Sequence, residues 1–114
     1  MTIDPIKASK AVQYLIDSAA EYGAARADAQ KADDMLRVIK ALVMAQSNHK
    51  TAAAQEREAY ASEAYRNAID EKFEAVKAAE TLRARREAAI QTIEAWRSMN
   101  ANQRAAERGY GSAA

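Results

Sequence analysis

The stretch from Ser62 to Arg104, SEAYRNAIDEKFEAVKAAETLRARREAAIQTIEAWRSMNANQR, decides the fold of this 114-residue chain. It contains neither Gly nor Pro, carries an apolar residue at every third or fourth position, and begins with a Ser that can cap a helix. The pattern predicts one uninterrupted helix of roughly 60 Å. A compact chain of this length is only about 35 Å across, so we expect an elongated molecule or copies that share surfaces.

Alanine dominates the composition. The chain holds 30 Ala, whereas Leu, Ile, Val and Phe together number 16. Alanine is the strongest helix former, and a net charge of +1 argues against disorder. We therefore predict an all-α fold, an elongated helical bundle or coiled coil with one long C-terminal helix over about 62–104. A core this poor in large side chains stabilises a monomer weakly, so we also expect a homo-oligomer.

Local signals divide the chain further. Asp4-Pro5 is a good helix start, with Val12, Leu15, Ile16 and Ala19 following at helical spacing. Ser18 to Glu21 matches a capping box and predicts a break or bend. A second helix would carry Tyr22, Ala25, Ala29, Ala32, Leu36, Ile39 and Val43. Residues 47–51 form a polar junction, a short helix covers Ala52–Tyr60, and glycines end the last helix. We expect one domain over 1–108 and a flexible tail over 109–114.

The long helix has a seam, that is, a line of mostly apolar positions along one face of the helix. Its apolar positions are separated by steps of three and four, with one extra step of three near Ala79 that resembles a stammer. The predicted seam comprises Ile69, Phe73, Val76, Ala79, Leu82, Arg86, Ala89, Ile93, Trp96 and Asn100. Charge changes near the same point, with a balance of −3 over residues 58–80 and +3 over residues 81–108. The first half is expected to pack against the shorter helices, and the second half to meet other subunits.

Two groups of residues are candidates for binding an anionic polymer. Arg83, Arg85 and Arg86 form the densest charge in the chain, either contacting phosphates or pairing with acids on a solvated face or a neighbouring subunit. Lys50 and Arg57, with Tyr60, combine cations with an aromatic ring, either for phosphate contact and base stacking or for ordinary packing. Arg86, Ile93 and Trp96 are the predicted oligomer interface, with base stacking as the alternative role of Trp96.

Several function classes find no support in these residues. There is no Cys, and the only histidine, His49, has no partners for a metal site. Pairs of acids such as Asp33-Asp34 are common on helix surfaces, and no His, Ser or Cys constellation joins them, so we predict a protein that is not an enzyme and needs no cofactor. No apolar run approaches the length of a membrane span, and we expect a cytoplasmic protein.

The middle segment, KTAAAQEREAY at 50–60, followed by IEAWR at 93–97 and NQR at 102–104, resembles small helical proteins that phages encode among their DNA-recombination genes. The arrangement is also similar to the UvsY-type recombination mediators, which help load a RecA-like recombinase onto single-stranded DNA and work as homo-oligomeric rings. Met35-Leu36-Arg37 and the segment 54–62 carry this second resemblance. Arg57 takes the place of the family's DNA-contacting Arg, and Gln55 stands where the family has Lys.

The resemblance implies a phage accessory protein of homologous recombination that binds single-stranded DNA as a homo-oligomer. Its partners would be a phage or host recombinase or annealing protein and a single-strand-binding protein. The alternative is a helical protein-interaction or scaffolding module that does not bind DNA, in which the arginines pair with acids between subunits.

Overall fold

The computed structural model describes residues 3–113, and their side chains as far as Gly109. This part of the chain forms three helices and contains no strand: α1 (Pro5–Gln46), α2 (Ala52–Ala61) and α3 (Glu63–Ala113). The predicted all-α class is confirmed. So is the long C-terminal helix, which has 51 residues and therefore an axial length of about 77 Å.

Short polar side chains begin the first two helices. Asp4 precedes Pro5, and its Oδ1 accepts a hydrogen bond from the backbone N–H of Lys7 at 2.8 Å. Thr51 begins α2 in the same way, because its Oγ1 accepts from the N–H of Ala54 at 3.2 Å. These contacts satisfy backbone donors that a helix start leaves without partners, and they confirm the predicted starts of both helices.

Ser62 separates α2 from α3. Its Oγ accepts a hydrogen bond from the N–H of Tyr65 at 3.2 Å and donates one to the carbonyl of Ala59 at 2.6 Å. One hydroxyl therefore serves the last turn of α2 and the first turn of α3. The predicted cap at Ser62 is confirmed, as is the non-helical junction over residues 47–51.

α1 has no break at Ser18, so the prediction from the capping box is wrong. The Ser18 side chain is buried, and its Oγ donates to the carbonyl of Tyr14 at 2.6 Å, one turn earlier in the same helix. Such a bond keeps the hydroxyl inside the helix and leaves it no role as a cap. α3 likewise continues through Gly109 to Ala113, and the described glycines have no positive φ angle, so the prediction that glycines end this helix is wrong.

Small residues form the seams of both long helices. In α1, buried and half-buried side chains follow steps of three and four without interruption: Ala8, Ala11, Leu15, Ser18, Tyr22, Ala25, Ala29, Ala32, Leu36, Ile39 and Val43. The predicted positions from Tyr22 to Val43 are confirmed. Val12 and Ile16 are exposed instead, because the seam passes through Ala11 and Leu15 beside them.

The seam of α3 also keeps its heptad spacing and has no stammer. Its positions are Tyr65, Ala68, Lys72, Ala75, Ala79, Leu82, Arg86, Ala89, Ile93, Trp96 and Asn100. The predicted seam is confirmed from Ala79 onward, and before it Ile69 and Val76 are half-buried as predicted. Phe73 is the position that is wrong: it is 69% exposed and does not pack against the shorter helices. Helical spacing placed Phe73 in the seam, whereas alanines and the stem of Lys72 lie on the contact face beside it.

The contacts divide the chain into two compact units. We call residues 1–20 with 82–114 the terminal unit, and residues 21–81 the turn unit. In the turn unit the two long helices run antiparallel. Lys72 of α3 lies 2.8 Å from Asp33, whereas Lys40, two turns further along α1, lies over the ring of Tyr60, just before α3 begins.

Replacing Leu82 by Ala is expected to reduce the free energy of unfolding by about 2–5 kcal/mol, since this side chain is buried and its loss leaves a cavity. Phe73→Ala should change the same quantity by only about 0.5 kcal/mol or less. Urea denaturation at two protein concentrations measures both effects. An equal or larger loss for Phe73→Ala would show that the seam passes through Phe73.

Candidate nucleic-acid interface

Polar contacts attach α2 to the end of α1 in the turn unit. Lys40 Nζ lies 2.6 Å from Glu56 Oε1. Ser47 Oγ donates a hydrogen bond to Glu58 Oε2, and His49 Nε2 lies 3.8 Å from the same oxygen. Two glutamates that the sequence showed only as surface charge therefore hold the position of α2.

The junction has a further contact of its own. Gln55 Nε2 donates to the carbonyl of His49 at 2.9 Å. The Gln55 side chain therefore stabilises the turn before α2. An amide suits this position because it donates to a carbonyl without placing a charge there.

Tyr60 is 48% exposed and contacts residues from all three helices. Lys40 Nζ lies 4.8 Å from its ring centroid, and the Tyr65 ring meets it edge-on at 5.2 Å. Its hydroxyl donates to Glu56 Oε1 at 3.3 Å. A lysine ammonium over the face of the ring is a favourable cation–π arrangement. The packing role that the sequence left open for Tyr60 is therefore present.

Ion pairs shift three pKa values in the turn unit. The hydrogen bond from Lys40 lowers the pKa of Glu56, and the same bond raises the pKa of Lys40. Lys72 lowers the pKa of Asp33 in the same way. All these groups are in contact with solvent, so screening limits what each pair adds to stability. The Lys40–Glu56 pair favours one arrangement of α2 beside α1, and the Lys72–Asp33 pair joins α3 to α1.

Lys50 and Arg57 remain exposed beside these contacts. Lys50 lies in the junction before Thr51, and Arg57 lies on the outer face of α2, about 200° around the helix from the buried Ala59. Of the polar side chains near them, Glu56 contacts α1, and Gln55 and Glu58 contact the junction. The turn unit thus presents two cations to solvent on a segment whose other charged residues hold it in place.

The three arginines of the predicted cluster have different surroundings in the terminal unit. Arg83 is exposed and lies 3.1 Å from Glu87, one turn along α3. Arg85 is exposed. Arg86 is half-buried at a seam position, as predicted. The cluster therefore offers two surface arginines and one that points toward α1.

Arg86 binds α1 directly. Its Nη1 donates to the carbonyl of Leu15 at 2.8 Å and to Ser18 Oγ at 2.7 Å. Ser18 is only 4% exposed, so these bonds lie at the contact between the helices. Sequence reasoning placed Arg86 in the seam but missed Ser18, which it assigned to a helix cap. The signal was the spacing, since Ser18 falls on the same heptad positions as Ala11 and Leu15.

Ile93 and Trp96, the other predicted interface residues, are half-buried on the seam of α3 in the terminal unit. They follow Ala89 at steps of four and three and continue the contact face. Beyond Asn100 the described side chains, residues 101–109, are all exposed.

The described part of the chain has no cluster of three or more His, Cys, Asp or Glu that fits a metal ion. No helix within it combines the length and apolar character needed to cross a bilayer. Comparisons of the chain with protein-family models, with curated proteins and with solved structures found no match. The residues and their geometry therefore carry the functional argument.

Replacing Ser18 by Ala should destabilise the protein by about 1–3 kcal/mol, because Arg86 keeps its partly buried charge and loses one acceptor. Ser98→Ala is the matched control, since Ser98 is exposed on α3 and gains the same helix propensity. Urea denaturation of both variants isolates the Arg86 contact. Equal stability of the two variants would contradict its importance.

Glu56→Gln should lower the melting temperature at pH 7, where Glu56 is ionised and bound to Lys40. A lowered folded-state pKa contributes stability above the unfolded pKa and loses it as the pH falls through the folded value. The difference from wild type should therefore shrink below about pH 4. Thermal denaturation across pH tests this, with the exposed Glu74→Gln as control. A difference that stays constant to pH 2.5 would exclude the ion pair as its cause.

Proposed function

We propose that this chain is a phage-encoded, non-enzymatic accessory protein of homologous recombination that binds single-stranded DNA as a homo-oligomer. In this role it assists a recombinase or an annealing protein in displacing a single-strand-binding protein, as the resemblance to UvsY-type mediators implies. The observation that supports this proposal most is that Lys50 and Arg57 are exposed, whereas the polar contacts around them hold α2 in place. Arg57 is also the residue that matches the DNA-contacting Arg of that family.

The geometry of the turn unit supports phosphate contact rather than base recognition. Lys40 already lies over the ring of Tyr60, so a base would have to replace it to stack there. Lys50 and Arg57 are cations on long side chains, which suit phosphate oxygens. Such contacts are independent of base sequence and depend on salt. We therefore assign Lys50 and Arg57 to the DNA backbone, and assign Tyr60 to holding α2 beside Lys40.

Oligomerisation makes a weak site effective. Two phosphate contacts in one subunit bind DNA weakly, whereas a ring of subunits presents the same contacts repeatedly to one strand and gains avidity. The seams support self-association, because most of their residues are small and the described part of the chain has no fully buried large side chain. Surface shared between copies would supply the missing apolar burial.

Binding of a fluorescently labelled oligo(dT) should be detectable by anisotropy at low salt and should weaken steadily as salt is added. In the double variant Lys50→Gln, Arg57→Gln the affinity should fall, and the slope of log affinity against log salt should decrease by roughly 0.7 for each lost contact. Lys31→Gln, Lys77→Gln is the matched control, since it removes two other exposed cations from the turn unit.

Light scattering on the same samples reports the oligomeric state. Reduced binding with an unchanged mass supports the assignment of Lys50 and Arg57. Equal loss in the test and control variants would mean that the DNA senses only total charge. Absence of binding by the wild-type oligomer at low salt would eliminate DNA as a ligand.

The second candidate is a helical protein-interaction or scaffolding module. It is favoured by exposed apolar side chains in the turn unit: Met35, Val38 and Leu42 lie at helical spacing along one side of α1, and Phe73 is exposed on α3. Apolar residues grouped on a surface are typical of protein contacts. A stable oligomer that fails to bind the oligonucleotide is the result that selects this function.

A further inference from the structure

A groove lies along the C-terminal part of α3 in the terminal unit, and two of its lining residues, Trp96 and Asn100, also belong to the seam. It is open to solvent and has a volume of about 440 Å³. Its lining residues fall within about 120° of the helix circumference, so they share one side of α3: Trp96, Arg97, Asn100, Gln103, Arg104 and Glu107.

The lining combines the three kinds of group that hold a nucleotide of a single strand. Trp96 offers an aromatic surface on which a base can stack. Arg97 and Arg104 offer guanidinium groups for phosphates on either side of it. Asn100 and Gln103 carry amides, which donate to and accept from the edges of bases.

The electrostatics of the groove favour an anion only moderately. Its two arginines face one carboxylate, that of Glu107. Arg97 Nη1 lies 3.3 Å from Glu94 Oε1, and both side chains are more than half exposed. An exposed pair of this kind is weak, so Arg97 can exchange Glu94 for a phosphate at little cost. Arg104 is exposed beside the groove.

We infer that this groove is a nucleotide subsite for single-stranded DNA, in which a base stacks on Trp96 and its flanking phosphates bind Arg97 and Arg104. The inference rests on the proposed function and adds a second contact region to Lys50 and Arg57. It gives α3 a direct role in binding: stacking holds a base at a fixed point, whereas the cations of the turn unit contact the backbone alone.

Trp96 is the only tryptophan of the chain, so tryptophan fluorescence reports on the surroundings of this one side chain. Titration of the full-length protein with oligo(dT) should quench the emission, and the quenching should saturate together with the anisotropy of the labelled oligonucleotide. Added salt should reverse both signals. A duplex of the same length, whose bases are already stacked, should quench less.

Variants separate stacking from charge. Trp96→Leu, which keeps an apolar side chain in the seam, should weaken oligo(dT) binding roughly 5- to 150-fold. Trp96→Phe should recover part of that loss. Arg104→Gln should weaken binding and reduce the salt slope by roughly 0.7, and Glu107→Gln should strengthen binding. Lys10→Gln, which removes an exposed cation from α1 in the same unit, is the control and should have less effect than Arg104→Gln.

The outcomes distinguish this inference from the proposed function. Anisotropy that shows binding while Trp96 emission stays constant overturns the subsite and leaves the proposed function intact. Emission that changes with protein concentration but not with oligo(dT) also overturns it, because Trp96 then contacts another copy of the chain. If neither anisotropy nor Trp96 emission shows binding, both the subsite and the proposed function are overturned.

Discussion

Alanines at the seam positions let a side chain of one long helix reach the backbone of the other. In the terminal unit Arg86 donates to the carbonyl of Leu15 and to Ser18, a contact that larger neighbours at Ala11 and Ala89 would separate. A seam of small residues specifies register weakly, because one alanine fits much like another. The hydrogen bond from Arg86 to Ser18 favours one register, since a shift by one turn would leave Arg86 without Ser18.

The turn unit meets a different constraint, because a ten-residue helix is too short to be stable alone. Contacts from Lys40, Ser47 and His49 to the glutamates of α2 stabilise this helix. Thr51 caps the start of α2, and Ser62 caps the start of α3. These roles account for most polar residues of segment 50–60. The exposed Lys50 and Arg57 are the ones left for a ligand, and this sorting is the basis of the functional proposal.

Sequence reasoning identified the helices and their starts well because those depend on local signals. Pro5, Thr51, Ser62 and the absence of Gly or Pro in 62–104 act within one turn of the chain. It was wrong for Phe73, Val12 and Ile16, because helical spacing alone does not tell which of two neighbouring faces packs against another helix. The candidate site was predicted in its residue types, but the engagement of Tyr60 with Lys40 depends on two helices meeting and has no local signal.

By itself the sequence determined an all-α chain with one long last helix and the exclusion of thiol chemistry, because composition and helix propensity act locally. Tertiary structure decided which face of each helix is covered and which cations stay exposed. An exposed position and a seam position can carry the same residue, as Arg85 and Arg86 do, and only the approach of α1 distinguishes them. The distinction matters for the DNA-binding proposal, because an arginine bonded to the backbone of α1 has fewer donors for DNA than one in solvent.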